Sequence, residues 1–161
     1  MRLLVVLMVL PLIAGCVSMQ PPVERIPFPG GEYDSLRESG TAVIRGQAFL
    51  KTRGGDVKTA AGEEVVLNPV TSYSQQWYQV AYLNGRPLTG PDPRYLRYIR
   101  KTIADADGRF TFRNVAGGDY FIVARVVWEA PTGYGLVPQG GFVAKKVSVE
   151  DGTELDVIVT R

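Results

Sequence analysis

The fold class turns on Asp105-Ala106-Asp107-Gly108-Arg109-Phe110-Thr111-Phe112-Arg113. From Arg109 to Arg113 polar and apolar residues alternate strictly. In a strand that sends Phe110 and Phe112 to one face and Arg109, Thr111 and Arg113 to the other. Asp107-Gly108, just ahead of it, is a hairpin signal, because glycine takes the positive φ of a tight turn without steric cost. Asp105 and Asp107 can both accept hydrogen bonds from backbone amides of that turn. The next turn signal, Asn114 to Asp119, leads into a long apolar run from Tyr120 to Trp128, interrupted by Arg125. Tyr120 is placed to bury its ring and satisfy its hydroxyl at a corner.

On either side of this centre the same grammar repeats. Ala42 to Leu50, Val57, Glu64 to Leu67, Ile99 to Ala104, Phe142 to Val149 and Leu155 to Val159 all read as strand material. Lys51 to Asp56, Asn68-Pro69 and Asp151-Gly152 punctuate them. About seven short strands over 41–161 predict an all-β sandwich. A length of 161 residues allows one ordinary domain, and 45% hydrophobic with 21% charged residues is a globular composition. A net charge of +2, with no basic stripe interleaved with aromatics, argues against a nucleic-acid partner.

The stretch from Ala104 to Tyr120 resembles the signature of carboxypeptidase regulatory-like domains, related to Cna-B-type repeats of surface proteins. The shared pattern is D-x-D-G-x-F-x-F, a short Gly/Pro loop, then G-x-Y. The resemblance implies a transthyretin-like (prealbumin-like) sandwich in which Asp105, Asp107, Gly108, Phe110, Phe112, Gly118 and Tyr120 have structural roles. It extends over Thr41 to Arg161, with Gly46 and Val65-Val66-Leu67 fitting the start of the domain. It departs at Asn68 to Tyr98, which is longer than the family's usual strand connection. Despite the family name, it concerns an accessory domain and implies no peptidase activity. A Ca²⁺ loop beginning at Asp105 would need glycine where Phe110 stands and glutamate where Ala116 stands, so the turn reading is preferred and no metal is expected.

The long insertion, about 71–98, is the most individual feature. Thr71 to Gly85 reads as one amphipathic helix, capped by Thr71 or Ser72 and ended by Gly85. Tyr73, Trp77, Val80, Ala81 and Asn84 fall on one helical face, with Tyr78 and Tyr82 on an adjacent one. Pro87, Gly90, Pro91 and Pro93 then carry the chain to Tyr95 and Tyr98. Two readings stand. The aromatic stripe packs across an opening of the sandwich, or Tyr73, Trp77, Tyr78, Tyr82, Tyr95 and Arg97 form a binding surface that stacks on sugar rings or grips a partner. Arg94, Arg97, Arg100 and Lys101 form a basic patch that is either a solvated face or a site for anionic polymer or lipid head groups.

The N-terminus speaks of location. Arg2 precedes an apolar run from Leu3 to Ile13, too short for a membrane-spanning helix of about 20 residues but suited to a secretory signal. Ile13-Ala14-Gly15-Cys16 resembles the lipobox of bacterial lipoproteins. That implies residues 1–15 as signal peptide, cleavage between Gly15 and Cys16, and lipid on Cys16, the chain's one cysteine. Two or more acyl chains, each buried CH₂ contributing ~0.8 kcal/mol, hold a protein stably at a membrane. Val17 in place of aspartate favours, by resemblance and in a Gram-negative host, the periplasmic face of the outer membrane. Residues 16–40, with Pro21-Pro22, Pro27, Pro29 and Gly30-Gly31, are expected as a stiff tether, in which Tyr33 to Arg37 can form one helical turn or pack on the domain.

Catalytic signals are few. With no histidine, Ser-His-Asp and Cys-His nucleophiles are ruled out, as are most zinc sites. No nucleophile elbow, phosphate loop or dinucleotide fingerprint occurs, and the adjacent pairs Asp105/Asp107 and Glu63/Glu64 give no reason to expect a tuned acid/base couple. The expectation is a non-catalytic, cofactor-free envelope lipoprotein acting as a binding or scaffold module on an envelope protein or polysaccharide. The alternatives are a structural assembly subunit without a ligand, or a carbohydrate-binding module. Cys16→Ser should abolish incorporation of labelled fatty acid and leave an unanchored precursor, while the sandwich still folds. Undiminished labelling of the variant would refute lipidation at Cys16.

Overall fold

The computed structural model describes residues 20–161, so Gly15, Cys16 and the expected signal segment lie outside the described residues. In chain order the elements are α1 (Gly30–Asp34), β1 (Ala42–Lys51), β2 (Val57–Thr59), β3 (Glu64–Pro69) and α2 (Ser72–Trp77). A π-helical stretch (Tyr78–Leu83) and a 3-10 turn (Pro93–Arg97) come next. The chain ends with β4 (Arg100–Ile103), β5 (Arg109–Val115), β6 (Gly118–Thr132), β7 (Gly135–Val149) and β8 (Glu154–Val159). The eight strands form the expected all-β sandwich, with β4 the shortest but one.

In one sheet β1 is central. It pairs antiparallel with β5 and β2, and in parallel with β8. The other sheet is antiparallel, in the order β4-β3-β6-β7. Ile44, Phe110, Phe112, Val157 and Val159 of the first sheet meet Val65, Leu67, Ile122, Val126 and Val143 of the second in one core. Each such side chain, once buried, contributes about 1.5–3 kcal/mol of transfer free energy.

The two strands of strongest pattern are buried differently. Strand β5 alternates because one of its faces meets the core. In β6, Phe121, Ile122, Val123 and Ala124 are all buried, because the second sheet is covered on both faces. Such a strand reads as a continuous apolar run.

Turn chemistry proved easier to read than pairing. Asp107-Gly108, expected to close a hairpin, instead carries the chain from β4 in one sheet to β5 in the other. Gly108 has φ +74°, and a Cβ there would sit 2.6 Å from the Ala48 carbonyl oxygen. Asp105 Oδ1 accepts from the amides of Asp107 (2.9 Å) and Arg109 (2.8 Å). Asp107 differs from expectation, offering its backbone carbonyl to Gln47 Nε2. A local turn fixes the reversal of the chain, whereas the partner strand is chosen by which faces are apolar. Tyr120 behaves as expected for a corner, its hydroxyl donating to the Ala116 carbonyl at 2.9 Å.

Residues 20–40, expected as a stand-off tether, lie on the domain. Val23 bridges to Leu88, its amide donating to the Pro87 carbonyl at 2.8 Å. Tyr33 is fully buried, stacked on Phe28 with ring centroids 4.8 Å apart. The prolines that bar a long helix or strand still allow an extended segment to pack through its aromatics.

Gly46, opposite Phe110 in the β1–β5 register, has no room for a side chain. An added Cβ would sit 2.5 Å from Phe110 Cζ and 2.7 Å from the Val157 carbonyl oxygen. Gly46→Ala should therefore cost about 1–3 kcal/mol of unfolding free energy in urea titrations, the usual range for overpacking. An unchanged midpoint would show that the Phe110 ring can move aside.

Candidate functional site

The insertion starts as its sequence suggests. Thr71 Oγ1 accepts from the Ser74 amide and Ser74 Oγ accepts from the Thr71 amide, a reciprocal cap that fixes the first turn of α2. Glu32, from the N-terminal segment, reinforces it. Its carboxylate accepts from the Ser72 amide (2.7 Å) and hydroxyl (2.6 Å), and these bonds hold it below the usual glutamate range.

The expected single α-helix ends early. Beyond Trp77 the winding loosens to a π-helix, which rotates the second half of the insertion relative to an α-helical face. Asn84, expected on the packed face, is exposed, as is Leu83. Tyr78 and Tyr82 instead turn to the outer face of the second sheet. Tyr78 stacks on Phe121 with centroids 4.5 Å apart, and Tyr82 stacks on Tyr78 at 5.3 Å. The Tyr82 hydroxyl accepts from the Ala144 amide at 3.0 Å, satisfying part of the exposed edge of β7. The aromatic stripe thus covers a sheet face rather than an opening of the sandwich.

The six residues expected to form a binding surface divide accordingly. Tyr78 and Tyr82 are packing residues. Arg97 faces a different depression, beside Tyr98 and Tyr120. Tyr73, Trp77 and Tyr95 line one open cleft of about 300 Å³, whose other side is the outer sheet face at Val66 and Val123. The Tyr73 hydroxyl accepts from the Asp92 amide at 2.7 Å, which holds the Pro-rich loop against the cleft. Burial pushes Tyr95 up to about 12, so its phenol is neutral at physiological pH.

Two polar residues of the cleft escaped sequence reasoning. Arg25 comes from the stretch read as tether. Its Nε donates to the Thr89 carbonyl at 2.7 Å and its guanidinium lies 4.9 Å from the centroid of the Tyr73 ring. Asn68, read as a turn residue with Pro69, is the fifth residue of β3 and is 3% exposed. Its Oδ1 is buried with no hydrogen-bond partner. An orphaned acceptor of this kind is costly, and it is the sort of group a ligand donor relieves. No sequence signal marked either residue, since each acquires its meaning from what the fold brings beside it.

The expected basic patch is largely occupied. Arg94 pairs with Asp92 at 2.8 Å, Lys101 with Glu64 at 3.0 Å, and Arg100 donates to the carbonyls of Asn114 and Arg113. The signature residues Phe110 and Phe112 are core side chains, while Gly118 opens β6. Among the described residues, no group of three His, Cys, Asp or Glu side chains is placed to hold a metal ion. Among those residues, no helix is long and apolar enough to cross a membrane.

No protein-family model matches the chain, and no curated protein matches it. Among solved structures, it is similar to a Pseudomonas aeruginosa protein to which carbohydrate binding has been ascribed. The two share 29% identity with a TM-score of 0.77, over 85% of this chain and 99% of that one. The major pilin subunit of Bacillus cereus matches at 14% identity and a TM-score of 0.40, over 76% of this chain and 30% of the pilin, too distant to bear on the argument.

Asn68→Leu, which removes the unpartnered amide at similar volume, should raise the unfolding free energy by about 1–3 kcal/mol, the penalty of a buried polar group without a partner. Destabilisation of similar size in urea titrations would show that the amide is satisfied. The likeness to the Pseudomonas aeruginosa protein supports the β-sandwich fold.

Proposed function

We propose that this chain is a non-catalytic, lipid-anchored envelope protein whose sandwich binds carbohydrate in the cleft at Tyr73, Trp77 and Tyr95. The observation that carries the reading is the composition of that cleft: the partly exposed rings of Trp77 and Tyr95, seated on the buried Tyr73, and a buried amide oxygen lacking a donor. Sugar rings present apolar C–H faces that pack on aromatic rings, and their hydroxyls donate to such an acceptor. The carbohydrate binding ascribed to the similar Pseudomonas aeruginosa protein supports the same reading.

Support for a binding rather than a catalytic role comes from the cleft's lining, which brings one guanidinium and no carboxylate. Hydrolysis of a glycosidic bond ordinarily needs a pair of carboxyl groups across the scissile bond. Anchoring rests on the lipobox resemblance at Ile13 to Cys16.

The full-length protein in detergent micelles should be retarded by at least one envelope polysaccharide in affinity electrophoresis. Trp77→Ala and Tyr95→Ala should each weaken that binding about ten-fold or more, the effect of losing roughly 1.4 kcal/mol at a buried aromatic contact. Retardation unaffected by either substitution, or none with any polysaccharide, would leave the structural-subunit reading in its place.

A further inference from the structure

The cleft's one ionic side chain narrows what it takes. We infer that the ligand is an acidic saccharide, a sugar whose carboxylate is received by Arg25 while a hydroxyl or amide N–H donates to Asn68 Oδ1. This deepens the carbohydrate reading and rests on it.

Arg25 is held as a pre-set fork. Its backbone amide donates to Thr89 Oγ1 at 3.0 Å and its Nε to the Thr89 carbonyl at 2.7 Å. Its guanidinium also lies over the Tyr73 ring, 4.9 Å from its centroid. The Nε hydrogen bond and the ring contact restrain the guanidinium while the backbone bond fixes where the residue starts, so the terminal nitrogens need little further ordering to bind.

Among the described residues no carboxylate lies within ion-pair distance of Arg25, although Arg37, Arg45 and Arg94 each have one. The guanidinium is half-buried against aromatic surface, where a cation without a counter-ion loses solvation and gains nothing ionic in return. No aspartate or glutamate lines the cleft, so Arg25 sets the sign of its charge. A planar fork suits a carboxylate through two parallel N–H···O bonds. A neutral sugar would satisfy Asn68 and the aromatic walls but leave the arginine as it is.

The test is calorimetric titration of the full-length protein in neutral detergent. The probes are oligosaccharides containing galacturonic or sialic acid, each beside its methyl ester, which keeps shape and hydroxyls but removes the charge. At least one acid should bind ten- to hundred-fold more tightly than its ester, the range for a charge-assisted hydrogen bond. Arg25→Gln should erase the preference for acid over ester, read as the ratio of the two affinities measured on the same variant. Independently of any variant, raising salt from about 50 to about 500 mM should weaken the acid and spare the ester on the unmodified protein. Esters bound as well as acids, or a preference that survives Arg25→Gln, overturns the acidic-ligand inference and leaves the carbohydrate reading intact. Binding of neither, in a protein that also ignores neutral glycans, overturns both.

Discussion

The second sheet is apolar on both faces, and the rest of the architecture answers that constraint. In β6, Ile122 and Ala124 point to the core between the sheets, while Phe121 and Val123 point outward. Left bare, the outer face would be a contiguous apolar patch of the kind monomeric domains rarely expose. Trp77, Tyr78 and Tyr82 of the insertion cover it, and the cleft is the part of that cover that does not close. At Trp77 the candidate site and the cover of the sheet share a residue. The helix is retained by what it buries, and the candidate site is the gap between its first turn and the sheet.

That outer layer is stitched to the N-terminal segment by polar contacts at nearly every step. Glu32 caps α2, the Thr71 hydroxyl donates to Tyr33 at 3.0 Å, and Gln76 bonds the backbone at Glu24 and Ile26. Phe28 stacks with Tyr33, meets Tyr73 edge-on at 5.7 Å, and carries the Arg94 guanidinium on its ring at 4.6 Å. Glu32 and Tyr33 lie far from Thr71 in sequence but act with it as one unit. Removing residues 20–40 would thus strip the cleft of Arg25 and loosen the cap of the helix that carries Trp77.

How much of this was legible in the sequence depends on the range of the interaction. Strict alternation at Arg109 to Arg113 gave β5, and the apolar run at Tyr120 gave β6, because both patterns report burial directly. The cap at Thr71 was readable for the same reason: its partners lie within one turn. The π-helical winding after Trp77 was not, since it depends on Tyr78 seating on Phe121, a contact across more than forty positions. Nor was the fate of Asp107-Gly108, whose turn chemistry is local but whose flanking strands find partners by face. The cleft's aromatic residues, Tyr73, Trp77 and Tyr95, stood out in the sequence. Arg25 and Asn68 looked like tether and turn, and joined the cleft through tertiary packing alone.

The position of Arg25 has a mechanical meaning. It lies nine residues after Cys16, on the segment through which any pull on a lipid at that cysteine would reach the domain. Fully extended, those residues reach at most about 30 Å, so an anchored cleft is kept close to the bilayer surface. The first bonds to bear load would be those joining Val23 to Pro87 and Thr89, then the two from Arg25 to Thr89. Because Val23 runs parallel to Leu88, tension would have to shear these contacts together rather than peel them singly. Were the chain anchored at Cys16 as proposed, the wall of the cleft would also be where the leash meets the domain, and force on one would be felt by the other.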